Sequence, residues 1–332
     1  MSGKCKTALV SLSSLLFVAC GGGGGGSGGS TPTLAPLSIT TANAPAVSGE
    51  VVNATDAVEG FGGGGPGTIL AAVTTSGGNR QGLVDVIRSQ LGWFSVLQNS
   101  APGTLVGVVV GPTSVACAVS GTTTLSGNVA DPATFAPGDS LSATFNNCDE
   151  GDGSILNGGL SMTIGALSGN PDAFPFDLMV GITLNNLAVT QAGETMTGSG
   201  DINLALSSSD GVTLTTTVSG NAVAISGLGS SGALKNYAIT TTLNQGTLDY
   251  TLASSGTLES ADLAGSVVFT TPTSFQGIGS NFPYMGAYLI TGQNSSVRLT
   301  ALDDVNVVLE IDDNGDGGVD TTVNTTWAAI SS

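Results

Sequence analysis

The chain has 332 residues, no histidine and a formal net charge of −18, from 6 Lys and Arg against 24 acids. A surface this acidic repels phosphate backbones, so the composition argues against a nucleic-acid partner. Without histidine the chain cannot build His-based triads or HExxH zinc sites, and it lacks the commonest general base near neutral pH.

The first twenty residues, MSGKCKTALVSLSSLLFVAC, have a basic start and an apolar run from Ala8 to Ala19. The run is shorter than the about 20 apolar residues that a bilayer-spanning helix needs. It predicts an export signal peptide over residues 1–19, which is removed rather than folded. The alternative is a conventional signal peptide cut near Ala19, which would leave Cys20 without lipid.

The end of this leader, FVAC, resembles the lipobox of bacterial lipoproteins, with Phe17 in the place of the usual Leu. The resemblance implies that Cys20 carries acyl chains such as palmitate and anchors the protein to a membrane. Gly21 is not the Asp that retains such lipoproteins at the inner membrane, which implies the outer membrane, in either leaflet. Residues 20–45 begin with the Gly-rich stretch GGGGGGSGGSTP after Cys20, and we interpret them as the anchor and a flexible tether.

Two stretches between residues 46 and 100 have the helical period. In the first, four apolar residues recur at steps of four, three and four: Val47, Val51, Ala54 and Val58. In the second, NRQGLVDVIRSQLGWFSVLQN, four apolar residues share one face: Leu83, Ile87, Leu91 and Phe94. The breaker GFGGGGPG separates the two. We predict a helical segment over 46–100 that packs on the rest of the fold.

Cys117 and Cys148 remain as a pair once Cys5 leaves with the leader and Cys20 carries lipid. An even pair in an exported chain predicts a disulfide. The chain has no CxxC spacing, which argues against a redox role, and without histidine a mixed Cys/His zinc site cannot form. The acids that follow match no metal-loop spacing and predict an acidic turn: Asp149, Glu150 and Asp152.

From about residue 101 to residue 332 the pattern changes to a period of two. In PFDLMVGITL, for example, Phe176, Leu178 and Val180 alternate with smaller or more polar residues. In NYAITTTLNQGTLDYTLASSG, residues 236–256, two such runs flank a turn at Asn244–Gly246. Similar runs occupy roughly 114–126, 140–146, 158–167, 201–208, 211–218, 221–227, 264–271, 286–291, 296–302, 305–311 and 319–327. The short gaps are rich in Gly, Asn, Asp and Ser, as hairpin turns require, and no helical stretch intervenes. The sequence predicts an antiparallel meander with one apolar face and one Thr/Ser face.

An apolar sheet face must be buried, by closure into a barrel, by folding into a sandwich or by curling around the helices. We predict a mainly β protein with a large antiparallel, strongly curved meander sheet, half-barrel or barrel-like, packed on one or two N-terminal helices. An outer-membrane barrel is not predicted, because a lipid anchor would then be redundant and aromatic residues are only 5% of the chain.

Two regions resemble β-rich proteobacterial lipoproteins of unknown function. The first is residues 282–330, which begin FPYMGAYLITGQ, and the second is the region from Cys117 to Cys148 with its NNCDEGDGSILNG continuation. The likeness extends over a large part of the chain. It implies an exported β-rich architecture and no activity.

The stretch VVLEIDDNGDGGVDTTV, residues 307–323, has the spacing of a calcium loop. Counted from Asp312, oxygen-ligand positions 1, 3, 5, 7 and 9 hold Asp312, Asn314, Asp316, the Gly318 carbonyl and Asp320. Gly317 occupies the sharp-turn position 6, but position 12 is Val323 instead of a bidentate Glu. We predict a structural calcium ion in the last hairpin, with a dissociation constant of roughly 0.1–1 mM. The alternative is a plain hairpin turn.

Three functions fit these features. The first is a non-catalytic envelope or surface lipoprotein that acts as a structural or interaction module, with an envelope protein as partner and a calcium-stabilised hairpin. The second is a carrier or chaperone that holds a hydrophobic acyl ligand on the concave face of the sheet. The third is a hydrolase that uses paired carboxylates, although only Trp93 and Trp327 could serve as sugar platforms. An open concave face would favour the carrier, and a filled one the interaction module. The sequence leaves the ligand, the partner and the oligomeric state undetermined.

Overall fold

The alternation of apolar and small polar residues folds into one 14-stranded antiparallel sheet. The computed structural model describes residues 34–61, 108–130, 136–151, 153–169, 174–191, 193–227, 230–279 and 281–331. All of them belong to one compact unit, Leu34–Ser332. Among the described residues, no helix is both long enough and apolar enough to cross a membrane.

The strands lie side by side in chain order, and each pairs only with its neighbours in the sequence. Their bounds are β1 Val108–Ala116, β2 Ser120–Val129, β3 Ser140–Asp149, β4 Ser154–Gly169, β5 Phe176–Gln191, β6 Glu194–Ser208, β7 Thr213–Gly227, β8 Ser230–Asn244, β9 Asp249–Ser260, β10 Gly265–Ile278, β11 Met285–Gly292, β12 Ser295–Ala301, β13 Asn306–Asp312 and β14 Thr321–Thr326. The sheet is not closed, so β1 and β14 are its edges. The predicted mainly β, antiparallel curved meander is confirmed.

Helix α1 spans Ala44–Phe61 and lies against the inner face of the sheet at β7, β8, β9, β12 and β13. Of its predicted apolar stripe, Val47, Val51 and Val58 are fully buried. A short second helix, α2, spans Trp327–Ile330. These contacts confirm the packing of the sheet on an N-terminal helix. The second predicted helix, at 79–99, lies outside the described residues.

The inward side chains form a continuous apolar core. On the short C-terminal strands they are entirely enclosed, and Ile290, Leu299 and Leu309 have no exposed surface. Many inward residues of the long strands are also buried, for example Phe145 at 3% and Ile182 at 2% exposure, whereas Val180, Leu206 and Ile225 are partly buried. Burial of each such side chain contributes about 1.5–3 kcal/mol to folding. The core therefore runs along most of the sheet.

The outward side chains are small and hydroxylic, as the predicted Thr/Ser face requires. Cross-strand hydroxyl pairs link β7 to β8: Thr217 faces Thr240 at 3.1 Å and Thr215 faces Thr242 at 3.5 Å. Pairs of this kind each contribute a few tenths of a kcal/mol to sheet stability, up to about 1 kcal/mol.

Three of the predicted strand runs had the wrong boundaries. Residues 114–126 form the end of β1, a turn and the start of β2, instead of one strand. Conversely, 211–218 and 221–227 are parts of one strand, β7. Gly220 lies within β7, where it leaves room for the buried side chain of Tyr237. A Cβ at Gly220 would lie 2.7 Å from the Tyr237 hydroxyl.

Successive turns of a meander alternate between the two ends of the sheet. The described chain enters at the end that carries the β9–β10, β11–β12 and β13–β14 turns, and we name it the entry end. There the Leu37 N–H donates to the Ser266 carbonyl (2.9 Å), and the Leu37 carbonyl accepts from the Gln293 N–H (2.7 Å). Ile39 follows and is fully buried. The opposite end, with the β4–β5, β6–β7, β8–β9, β10–β11 and β12–β13 connections, is named the far end.

Candidate calcium loop and enclosed inner face

The predicted calcium loop connects β13 to β14 at the entry end. Both flanks are strands, as predicted, and the loop lies on the neighbouring β11–β12 turn. Gly315 makes this contact at a φ of 77°, and a Cβ there would lie 2.9 Å from the Asn294 carbonyl oxygen. Glycine is required here for both the conformation and the close approach.

Asp312, at position 1, organises the loop. Its Oδ1 accepts a hydrogen bond from the Gly315 N–H (2.7 Å), and its Oδ2 accepts one from the Gly317 N–H (2.9 Å). Desolvation acts to raise the pKa of the Asp312 carboxyl, but these backbone donors outweigh it and lower the pKa below its usual value. The side chain is therefore an anion around which residues 312–317 fold.

The side chains of the other predicted ligand residues also accept hydrogen bonds from backbone N–H groups of the loop. Asn314 Oδ1 accepts from the Asp316 N–H (2.9 Å), and Asp316 Oδ1 accepts from the Gly318 N–H (2.7 Å). Asp320 closes the loop, because its carboxylate accepts from the Asn314 amide Nδ2 (3.0 Å to each oxygen) and from the Asp313 N–H (3.0 Å). The structure thus brings the predicted residues into one exposed loop.

The oxygen atoms of the loop are not arranged as a ligand shell in this structure. Among the described residues, no three carboxylates of the loop lie within 4.8 Å of one another. A cation would require Asn314 to turn its amide oxygen towards Asp320. Position 12 supplies no ligand, because Val323 pairs with Leu309 in the sheet.

Asp313 is the loop residue that the calcium spacing did not single out. Desolvation, followed by the charges of Asp320 and Asp312 and a hydrogen bond with Asp320, raises the pKa of the Asp313 carboxyl. The crowded carboxylates of this loop therefore repel one another. A bound cation would remove that repulsion, which is the electrostatic reason for a cation to bind.

The disulfide between Cys117 and Cys148 is confirmed. It joins the end of β1 to β3 across a Cα–Cα distance of 5.5 Å, and both residues are buried. The Thr123 hydroxyl donates to the Cys148 Sγ (3.2 Å). Glu150 accepts from the Ala118 N–H (3.3 Å), so this acid holds the β1–β2 turn next to the disulfide.

The neighbouring acids do not assemble a second metal loop in the described chain. Asp149 Oδ1 accepts from the Gly151 N–H at 2.8 Å, which is a local turn contact. Asp152 lies outside the described residues. The arrangement agrees with the predicted acidic turn.

A small, partly open cavity lies beneath α1 on the inner face of the sheet. The cavity has a volume of about 50 Å³ and lies between α1 and strands β7–β9, with Val58, Val223 and Leu258 in its wall. That volume holds roughly three to five water molecules, far less than an acyl chain needs. Glu50 also lines the cavity, and its partial burial, with the nearby charge of Asp262, raises the pKa of its carboxyl.

Two residues named from the sequence lie outside the described residues: Cys20, the predicted lipid site, and Trp93. Trp327 is described and is 2% exposed. Its ring is enclosed by Phe275 and Phe282, so it offers no platform for a sugar.

Comparison of the chain with protein-family models, with curated proteins and with solved structures found no match. The function is therefore inferred from the chain's own residues and their geometry.

Proposed function

We propose that the protein is a non-catalytic envelope lipoprotein, anchored by lipid on Cys20, whose β domain acts as a structural or interaction module. The observation that supports this proposal is the position of helix α1 on the inner face. Helix α1 occupies the concave side of β7–β9, β12 and β13, and the cavity between α1 and β7–β9 has a volume of about 50 Å³. A carrier of acyl chains needs an open apolar surface in this position, so the coverage of these strands by α1 favours the interaction module.

The hydrogen bonds of several aspartates suit a structural role. Several aspartates accept hydrogen bonds from backbone N–H groups of their own turns: Asp139, Asp210, Asp303 and Asp312. In Asp210 and Asp303 these bonds lower the pKa of the carboxyl, in Asp303 together with the Asn306 side chain. A general acid needs the opposite shift. These carboxylates are therefore suited to holding turns.

Bound calcium would stabilise the last hairpin of this module, β13–β14. The position 1 carboxylate already holds the position 6 N–H, as the sharp turn of a calcium loop requires. The ion would draw Asp312, Asn314 and Asp316 onto one centre and offset the repulsion felt by Asp313. The stabilised structure would be β13–β14 and the β11–β12 turn on which the loop rests.

Millimolar calcium is expected to raise the melting temperature of the protein. At a concentration ten times the dissociation constant, binding stabilises the folded state by about 1.4 kcal/mol, or about 2–4 °C. Asp312→Asn combined with Asp316→Asn keeps the turn acceptors and removes two ligand charges, so most of this shift should disappear. Calorimetric titration and thermal unfolding in calcium and in chelator measure both effects.

The matched control is Asp210→Asn combined with Asp303→Asn, which removes the same charge from two turns at the far end. This variant should keep the full calcium response. Equal melting temperatures in calcium and in chelator for the wild-type protein would show that the loop is a plain turn.

Replacing Cys20 with Ala is expected to abolish the lipid mass on the mature N-terminus and to make membrane binding reversible on dilution, because it removes the attachment atom for the lipid. Fractionation of cells and mass spectrometry of the mature N-terminus measure the two parts of this prediction. Cys5→Ala is the control, since that cysteine lies within the leader and should leave membrane attachment unchanged. Continued membrane binding of the Cys20 variant, with no lipid mass on the wild type, would refute the anchor.

A further inference from the structure

The exposed apolar side chains of the described protein concentrate at one end of the sheet. Eight of the fourteen large ones lie at the far end, at the tips of five successive connections between strands. We name this set the apolar rim: Phe174, Val212, Leu248, Ile278, Tyr284, Met285, Leu302 and Val305, which are 40–55% exposed. The entry end carries Val119, Ile155 and Val319, and the outer face carries the remaining three. Turn tips normally carry polar residues, so this concentration needs an explanation.

The rim is a connected surface, because each connection is attached to the next. Phe174 covers Gly211 of the β6–β7 turn, where its ring would lie 2.7 Å from an added Cβ. The Gln245 N–H donates to the Val212 carbonyl (2.8 Å), and the Gly279 N–H donates to the Leu248 carbonyl (2.9 Å). The rim side chains are thereby presented in fixed order along the edge of the sheet.

The β10–β11 and β12–β13 connections are joined through Trp327. Its indole N–H lies 3.1 Å from the Pro283 carbonyl and 3.3 Å from the Asp303 carbonyl. Its backbone N–H donates to the Val305 carbonyl (3.0 Å). The part of the rim that holds Tyr284, Leu302 and Val305 is therefore supported by a buried anchor.

Aspartates lie among these apolar tips. Asp210 lies two residues before Val212 and accepts a hydrogen bond from the Val212 N–H, and Asp303 lies between Leu302 and Val305 and accepts one from the Val305 N–H. Hydrogen bonds from the Val212 and Thr213 N–H groups hold the Asp210 carboxylate, and hydrogen bonds from the Val305 and Asn306 N–H groups hold the Asp303 carboxylate, at exposed positions among the apolar tips. A surface that accepts this rim must take up apolar side chains and offer positive charge next to them.

We propose that the apolar rim is a membrane-contact surface that inserts into the interface of zwitterionic phospholipids. Apolar groups that enter a bilayer interface reach about 5–10 Å below the head groups, which suits side chains carried singly on turn tips. The outermost ammonium groups of such lipids complement the ionised aspartates, whereas anionic lipids repel them. A second copy of this chain would bring the same aspartates face to face, so charge disfavours self-association through the rim.

This contact is separate from the proposed anchor at Cys20. The described chain enters beside Gly265, and β10 then runs 14 residues to Ile278 on the rim. At about 3.3 Å per residue, the rim lies roughly 45 Å from the entry point. Binding through the rim can therefore be measured in a chain without lipid.

The test uses the mature chain, residues 20–332, carrying Cys20→Ser, and sedimentation with phosphatidylcholine–phosphatidylethanolamine vesicles. Leu302→Ser with Val305→Ser is expected to reduce the partition coefficient at least about tenfold, from the apolar area lost. Val119→Ser with Val319→Ser, at the entry end, is the control and should leave partitioning unchanged. Phosphatidylglycerol in the vesicles should weaken binding of the parent chain, and high salt should restore it.

A second rim variant, Tyr284→Ser with Met285→Ser, changes a different connection. Its partition coefficient should fall by the same factor, which would show that the loss is not a local effect of one turn. Circular dichroism confirms that each variant is folded. The proposal is overturned if the parent chain does not bind these vesicles, or if rim and control variants bind equally. It is also overturned if the rim substitutions change only the sedimentation coefficient of the vesicle-free protein, which would assign the rim to contacts between proteins.

Discussion

Replacing Trp327 with Ala is expected to lower the free energy of unfolding by about 3–5 kcal/mol, the usual cost of removing a large buried aromatic side chain. Trp327 is 2% exposed and begins helix α2 after β14. Its ring stacks on Phe282 with centroids 5.6 Å apart and meets the edge of Phe275 at 5.8 Å. The substitution would leave a cavity beneath the far end of the sheet and remove the donor that joins two of its connections.

Chemical denaturation of the variant and the wild type measures this loss. Trp327→Phe separates its two causes, because phenylalanine fills most of the space but lacks the N–H that points at the Pro283 carbonyl. Loss of that donor leaves a buried acceptor unsatisfied, which costs about 1–3 kcal/mol. A loss below about 1 kcal/mol for Trp327→Ala would contradict the assignment of α2 to the core.

The class and topology of the fold follow from the sequence by simple rules. Apolar residues at every second position, separated by short turns, can form only an antiparallel meander when no helix is present for a crossover. The same rule placed the last hairpin, where β13 and β14 flank the Asp-rich loop as expected. The steps of four, three and four along Val47, Val51 and Val58 identified the buried face of α1.

Strand boundaries were less predictable, because glycine and asparagine serve both turns and irregularities within strands. Gly220 is an example, since it lies inside β7 only because Tyr237 packs over it. Asn186 and Asn236 have φ values of 49° and 45° within β5 and β8, next to shifts in register. Such residues resemble turns in the sequence, and distant packing decides which role they take.

For the candidate calcium loop, the sequence predicted a tight loop between two strands, since a chain of Asx turns depends on neighbours alone, and the ligand set stays a prediction. The direction of the Asn314 amide was not predictable, because it depends on the charge of Asp320 across the loop. The apolar rim was not predictable either. Residues such as Leu248 and Leu302 fit the strand pattern, and their exposure follows from how far each strand extends before it turns.

Reduction of the Cys117–Cys148 disulfide is expected to lower the free energy of unfolding by roughly 3.5 kcal/mol on the chain-entropy model. The two cysteines are 31 positions apart, and the bond restricts the unfolded chain over that loop. The melting temperature should fall by about 5–10 °C. Thermal unfolding with and without reductant measures the effect, and free thiols in the unfolded, unreduced protein would contradict the bond in solution.

A second measurement separates two ways in which the disulfide can stabilise the protein: by restricting the unfolded chain, or by holding the edge strand β1 in place. β1 is an edge strand, with one partner strand and an irregular register between Val110 and Thr113. If the bond acts mainly on the unfolded state, Cys117→Ser with Cys148→Ser should lower hydrogen-exchange protection in all strands by a similar factor. If it mainly holds the edge, protection should fall in β1 and persist in β10–β13. The Thr123 hydroxyl, 3.2 Å from Cys148 Sγ, can bond to the new serine, so the first outcome is expected.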